Sequence, residues 1–328
     1  MRKLASIQVI SDITPIPDAD LIETAHVNGW TIVIKKDQFK IGDLAVYCEI
    51  DSFLPIKEEY EFLRKSSYKK LIDGTEGFRL RTIKLKKQIS QGLLLPYTSG
   101  EVGDDVTEEM GIIKYDPPLP ACLSGEAIGM FPSFIRKTDE ERIQNMPYVI
   151  QQINHDVFIT EKLDGTSFTC YHNNGAFGVC SRNLDLMETE GNTHWQIANL
   201  NNLKDTLPAL GNLAIQGEII GHGIQQNQYK INGHELRIFK IFDIDKQEYV
   251  YPVRLLELCS ILKLETVPLL YKGICPFTDL DGALEYAKGK SVINDTKREG
   301  VVVSYVDADN NGCSFKIINN DWLLSVED

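Results

Sequence analysis

Short strand-forming runs separated by turn residues fill most of this chain, and helices do not alternate with them. Such runs fall at residues 30–35, 44–50, 78–85 and 92–96 in the first hundred residues. Later ones fall at 157–163, 167–171, 213–220, 236–244, 301–305 and 313–318, with helical stretches near 252–262 and 280–287. A doubly wound fold requires strict strand–helix alternation, so this pattern predicts an α+β chain with antiparallel sheets. A length of 328 residues allows two domains, each burying its own core.

The first domain reads as a small β-barrel of the OB type, an architecture that often carries oligonucleotide on one face. Across 78–85 the alternation of apolar and polar residues is imperfect. The Asp-Pro-Pro-Leu-Pro run at 116–120 is stiff and poor in backbone donors, and marks a boundary. Thr138 followed by Glu141 has capping-box form and predicts a short helix there. The expected organisation is an OB-fold domain over 1–115, a linker and helix over 116–145, and a catalytic domain over 146–328. No internal repeat or low-complexity segment interrupts it.

Composition narrows the function classes. No apolar run approaches the roughly 20 residues that span a bilayer, so membrane insertion is not expected. Seven scattered cysteines without a Cys-x-x-Cys pair argue for free thiols in a reducing cytoplasm rather than disulfides or a zinc site. The six histidines likewise lack metal-ligand spacing. A net charge of −13 argues against a protein that coats nucleic acid nonspecifically. Residues 64–87, however, hold nine Lys and Arg against two acids, which suits a local contact with a phosphate backbone. By itself such a segment is more often a solvated face.

The chemistry-bearing residues come in order. Lys-Leu-Asp-Gly at 162–165 ends one apolar strand and precedes another, placing Lys162 at a strand end beside a tight glycine turn. Alone this is a weak signal, equally a hairpin with an exposed lysine. It is followed by Gln-Gly-Glu at 216–218, the aromatic strand 237–243, Lys-Arg-Glu-Gly at 297–300 leading into a β-branched run, and Ser-Phe-Lys-Ile at 314–317. The intervals Lys162 to Glu218, Glu218 to Glu299 and Glu299 to Lys316 are 56, 81 and 17 residues.

This series resembles motifs I, III, IIIa, IV and V of the covalent nucleotidyltransferase superfamily of DNA ligases, RNA ligases and capping enzymes. Within it the chain is most similar to RNA ligases of the Naegleria and Deinococcus type, which place an OB domain ahead of an adenylyltransferase domain. The likeness extends over 45–51, 80–83, 89–92 and 131–140. Twelve residues follow Lys316, too few for the C-terminal OB domain of common DNA ligases and capping enzymes.

The resemblance implies an ATP-dependent ligase joining RNA 3′-OH and 5′-phosphate ends, at nicks in duplex, through a lysyl-AMP and an adenylylated RNA. Lys162 would attack the α-phosphate of ATP, and Lys316 would bind that phosphate. A free lysine is nearly all protonated at neutral pH, with a pKa of about 10.4, so the site must favour the neutral amine. Asp164, Glu218 and Glu299 would hold a hydrated Mg²⁺ or Mn²⁺. Phe242 would stack on adenine, the Glu161 backbone would read its edge, and Gly165 would shape the turn beside the nucleotide. Arg182 and Ser167 would meet the nucleotide sugar or the RNA 3′ end, and Lys137 and Arg142 the β and γ phosphates. Many superfamily members carry Lys-x-Lys at motif V, whereas the first position here is Ser314. Lys84, Lys86 and Lys87 are expected to grip RNA phosphates without affecting lysine adenylylation. The expected state is a cytoplasmic monomer. A DNA ligase, a guanylyltransferase or a noncatalytic RNA-binding module remain the competing readings.

Overall fold

A computed structural model describes residues 3–71, 73–97, 99–116, 126–308 and 311–327. The chain divides into two compact units, one of Met1–Pro118, Ile143–Pro147 and Leu323–Asp328, the other of Leu119–Arg142 and Tyr148–Trp322.

The first unit contains β1 (Ala5–Val9), β2 (Asp12–Pro15), β3 (Ile22–Val27), β4 (Trp30–Lys35), β5 (Leu44–Cys48) and β6 (Ser52–Pro55). It continues with β7 (Tyr68–Lys70), β8 (Glu76–Arg79), β9 (Thr82–Leu85), β10 (Gln88–Gln91), β11 (Leu93–Pro96) and β12 (Ile113–Lys114). These pair as small antiparallel sheets, β1-β5-β11, β2-β3-β4, β9-β10 and β12-β6-β8-β7. Asn28-Gly29 closes the β3–β4 hairpin with Asn28 at φ 50°, the left-handed conformation that two-residue hairpins favour. Ala5, Val46, Cys48, Leu54, Tyr60, Phe78 and Leu80 share one core. The single strand expected over 78–85 is two, β8 and β9. At the break the Leu80 amide donates to the Ser52 carbonyl, and the Leu80 carbonyl accepts from Asp51. Leu80 thereby stays buried while the chain changes partner strand, which is why the alternation looked irregular.

The second unit contains β13 (Ala127–Met130), β14 (Glu141–Arg142), β15 (Val157–Lys162), β16 (Thr166–Asn173), β17 (Ala176–Cys180) and β18 (Leu184–Leu186). It ends with β19 (Leu213–Gly221), β20 (His234–Asp243), β21 (Glu248–Tyr249), β22 (Leu269–Gly273), β23 (Gly300–Val306) and β24 (Gly312–Ile318). A seven-stranded sheet runs β13-β18-β17-β16-β19-β20-β21 and a five-stranded sheet β14-β24-β23-β15-β22. All these pairings are antiparallel except β14 with β24. The helices Pro252–Leu262 and Leu280–Ala287 have the expected bounds.

Strand periodicity divides the seven-stranded sheet into a core face and a site face. Ile215 and Ile219 enter the main core with residues of the helices Thr193–Leu200 and Pro252–Leu262. Gln216 and Glu218 alternate with them and point to the opposite face.

One expectation fails here. The segment beginning at Thr138 forms no helix. Residues 137–140 are irregular, Glu141 and Arg142 pair in parallel with Phe315 and Lys316, and 3₁₀ turns over Ile143–Asn145 and Pro147–Gln152 follow. Pro147 disfavours helical geometry at Met146, so a helix starting near 139 would end within two turns. The proline run at 117–120 lies outside the described residues.

Candidate active site

Lys162 and Asp164 lie on the passage between the two sheets of the second unit. Lys162 ends β15 in the five-stranded sheet, and Thr166 begins β16 in the seven-stranded one, so the Lys-x-Asp-Gly turn is a crossover rather than a hairpin. Gly165 permits it: a Cβ there would strike the Ile219 carbonyl oxygen and lie 2.8 Å from the Glu218 side chain. Gly300 plays the same part beside Glu299, where a Cβ would strike the Ile317 carbonyl. The turn is tied down by the Tyr229 hydroxyl, which accepts the Asp164 amide at 2.8 Å, and by Gln225, which donates to the Gly165 carbonyl at 3.1 Å.

The Lys162 ammonium donates to Glu299 Oε1 at 2.6 Å. Burial alone would pull the lysine pKa down. Glu299, Glu218 and Asp164 outweigh that and hold it above its ordinary value. The acids show the reciprocal strain. Burial pushes Asp164 up to about 7, with Glu299 adding to the rise and Lys162 opposing it. Burial pushes Glu218 up to about 8, opposed by Lys162 and Arg182 and reinforced by Glu299 and Asp164. The three carboxylates expected to hold a metal therefore surround the lysine, but among the described residues no three acidic or other ligating side chains converge on one metal position. The donor set still fits a hard, hydrated cation. It is all oxygen, its members repel one another, and Glu299 Oε2 is buried without a hydrogen-bond partner.

A second, cationic group lies farther along the same face. Lys316 meets Asp139 Oδ1 at 3.6 Å, and Arg182 meets Asp139 Oδ2 at 3.7 Å. Lys240 meets Glu140 at 2.9 Å and donates to Ser314 Oγ at 2.6 Å. The irregular residues 137–140 thus lay two adjacent carboxylates over three cations. This strap is anchored at the Arg136 carbonyl, which accepts from Gln216 at 3.0 Å and from the Tyr249 hydroxyl at 2.9 Å.

Other expected residues are placed differently. Phe242 is 1% exposed, packed with Ile135, Tyr171 and Ala214 and edge-on to Tyr249, so its ring offers no surface to a base. Phe239 is the aromatic that reaches the Leu163, Ile220 and Tyr229 cluster beside the Lys162 turn. A bulge in β20, where Gln216 faces Lys240 and Gly217 faces Ile238, sets Phe239 out of the regular alternation. The Glu161 amide already donates to the Pro268 carbonyl, which leaves only the Glu161 carbonyl to read a base edge. Ser167 pairs with Glu218 across β16 and β19. Lys137 bonds Asn183 at 3.0 Å and lies over the Phe131 ring, and Arg142 is 6% exposed beside Lys316.

Comparison with known proteins decides the family. An OB-fold domain model matches residues 4–97, and an RNA ligase model matches 155–318. Naegleria gruberi RNA ligase with pyrophosphate superposes with a TM-score of 0.92 at 43% identity, covering 98% of both chains. Mutants of that enzyme solved with ATP and Mn and with AMP and Mn give TM-scores of 0.91 and 0.92 at 43% identity, each covering 98% of both chains. The chain belongs to the RNA ligase family. No curated protein matches it. In this ligase the sequence motifs gather Asp164, Glu218 and Glu299 around Lys162, and set Lys316 one strand row from Lys162. Tyr229 and Gln225 carry no motif, and although Phe239, Lys240, Asp139 and Glu140 fall within the matching stretches 237–243 and 131–140, their partners emerge only from the folded contacts.

Among the described residues no helix is long and apolar enough to cross a membrane. The six described cysteines are free thiols, and Cys122 lies outside the described residues.

Proposed function

We propose that this ligase seals RNA 3′-OH to 5′-phosphate ends at nicks in duplex, using ATP and starting with adenylylation of Lys162. The observation that carries the reading is the Lys162 ammonium bound at 2.6 Å to a carboxylate, inside a half-buried cluster of acids. Three steps follow, each exchanging one bond to phosphorus. Lys162 first gives up one ammonium proton to solvent; its Nζ lone pair then forms an N–P bond to the α-phosphorus while the α–β bridging oxygen leaves with pyrophosphate, and Glu299 Oε1, at 2.6 Å from Nζ, accepts the second proton. An RNA 5′-phosphate oxygen next takes the adenylyl group and frees the lysine. The RNA 3′-OH finally attacks the 5′-phosphorus, loses its proton and expels AMP.

A divalent cation, Mg²⁺ or Mn²⁺, would neutralise charge on the transferring phosphoryl group, held through water by Asp164, Glu218 and Glu299. Neutralising those acids also removes what keeps Lys162 protonated. Lys316 stabilises charge on the phosphorus being attacked. Phe239, Leu163 and Ile220 form the apolar bed for adenine. Arg182 and Ser167 border the sugar side. ATP and Mn²⁺ are supported by the Naegleria enzyme's complexes with ATP and Mn and with AMP and Mn.

Duplex RNA is supported by the first unit. Lys86 and Lys87 form the tip of the β9–β10 hairpin with φ of 49° and 68°, where Asn-Gly would relieve the strain. With Lys84 they are exposed, whereas Arg64, Lys70 and Arg79 of the same basic stretch are paired with acids. A monomer in the cytoplasm completes the reading, the free thiols supporting the compartment.

Incubation of the full chain with ATP labelled at the α-phosphate and a divalent cation, followed by a denaturing gel, tests the reading. The wild type should retain label and Lys162→Ala should not. No label on the wild type from ATP or GTP would favour an RNA-binding module instead.

A further inference from the structure

Lys240 has no task in that scheme, yet it is held as firmly as Lys316. It is 17% exposed, its partner Glu140 is 18% exposed, and the Tyr249 ring lies 4.7 Å beneath its ammonium. Cross-strand register fixes where that ammonium sits. Lys162 lies opposite Gly300 and thence Ile318, Thr160 opposite Val302 and thence Lys316, and Phe158 opposite Ser304 and thence Ser314. These three rows share a face, spaced by about 6.6 Å at two residues each. Lys316 is one row from Lys162, and Lys240, bound to Ser314, stands at the next row in the same direction.

In-line displacement expels the leaving group on the side of phosphorus opposite the nucleophile. With Lys162 attacking a phosphate held by Lys316, the row beyond Lys316 is the leaving-group side. We infer that Lys240 is a phosphate-binding residue of this ligase, gripping the pyrophosphate end of ATP, and that Glu140 is the counter-ion it exchanges for that phosphate. The inference rests on Lys162 as the nucleophile for its direction. The cation site itself does not depend on the chemistry. Ser314 positions the ammonium, and Tyr249 keeps it over the site while the counter-ion changes.

Equilibrium binding of inorganic pyrophosphate to the full chain, beside the ATP dependence of Lys162 adenylylation, tests this. Lys240→Met keeps the aliphatic stem and removes the charge. It should weaken pyrophosphate about tenfold and raise the KM for ATP by a similar factor, with kcat within about twofold. Lys240→Arg should recover most of the loss, and Glu140→Gln should strengthen pyrophosphate binding about two- to threefold. Sealing of RNA that already carries a 5′-adenylate involves no pyrophosphate, and Lys240→Met should leave it unchanged. Unaltered pyrophosphate affinity in Lys240→Met, or a matching loss in the sealing of adenylylated RNA, would make Lys240 a structural ion-pair partner and overturn the inference. A wild type that fails to label yet binds pyrophosphate through Lys240 would sink the ligase reading and leave this site standing.

Discussion

The two ends of the site face differ in sign. Around Lys162, one ammonium is surrounded by Glu299, Glu218 and Asp164, and the acids are in excess. Around Lys316, ion pairs run from three cations, Lys316, Arg182 and Lys240, to the two acids of the strap. An electrically neutral patch would bind neither a cation nor a phosphate well. Once its acids ionise, the nucleophile end calls for positive charge, and the cations at the far end suit phosphate; a nucleoside triphosphate with its divalent cation supplies both. Each end is therefore in tension until its ligand arrives.

If that contrast is right, the same isosteric change should act in opposite directions at the two ends. The largest effect is expected for Glu299→Gln. The amide keeps a hydrogen bond to Lys162 but cannot hold a cation or accept the lysine proton. The rate of lysyl-AMP formation at saturating ATP should fall on the order of a hundredfold, read in a single-turnover labelling assay with a melting curve as the folding control. Retention of the wild-type rate would mean that the acid end is only structural.

How much of this was legible beforehand depended on whether a residue's role is set locally. Lys162, Glu218, Glu299 and Lys316 belong to short motifs whose glycines and β-branched neighbours are fixed by close strand contacts, so order and spacing carried them. The α+β class and the helix bounds followed from periodicity for the same reason. Phe242 is buried opposite Ala214 on the strand face that also carries Lys240, whereas Phe239 reaches the Lys162 turn because a bulge lies between Ile238 and Lys240, and a bulge leaves no trace in an apolar count. The capping box at Thr138 misled because pairing of Glu141 and Arg142 with β24, 174 residues away, prevails over local propensity. Lys240 with Ser314, 74 residues apart, could be found only in three dimensions.

A smaller effect is expected from pH. In the absence of a cation, burial and mutual repulsion raise Asp164 to about 7 and Glu218 to about 8, so below this window both are protonated and above it both are charged. Divalent cations bind the charged form. Affinity for Mn²⁺ should therefore rise as pH increases through this window, by about tenfold per pH unit for each proton displaced, and level off above it. Calorimetric titrations in buffers of different ionisation enthalpy would show proton release on binding. A pH-independent affinity without proton release would mean that the acids are already ionised and that the tension at this end is absent.

The smallest effect is expected at the opposite end. Asp139 is about half exposed and stands 3.6 and 3.7 Å from its two cations, distances at which solvent screens most of the attraction. Asp139→Asn removes the charge with which an incoming phosphate must compete, so the KM for ATP in lysine adenylylation should drop by about two- to threefold while kcat holds. The sign is what matters, because loss of a carboxylate at Glu299 impairs the reaction and loss of one at Asp139 eases it. A raised KM in Asp139→Asn would show instead that the strap orients Lys316 and Arg182 for the nucleotide, making its acids part of the binding site rather than placeholders within it.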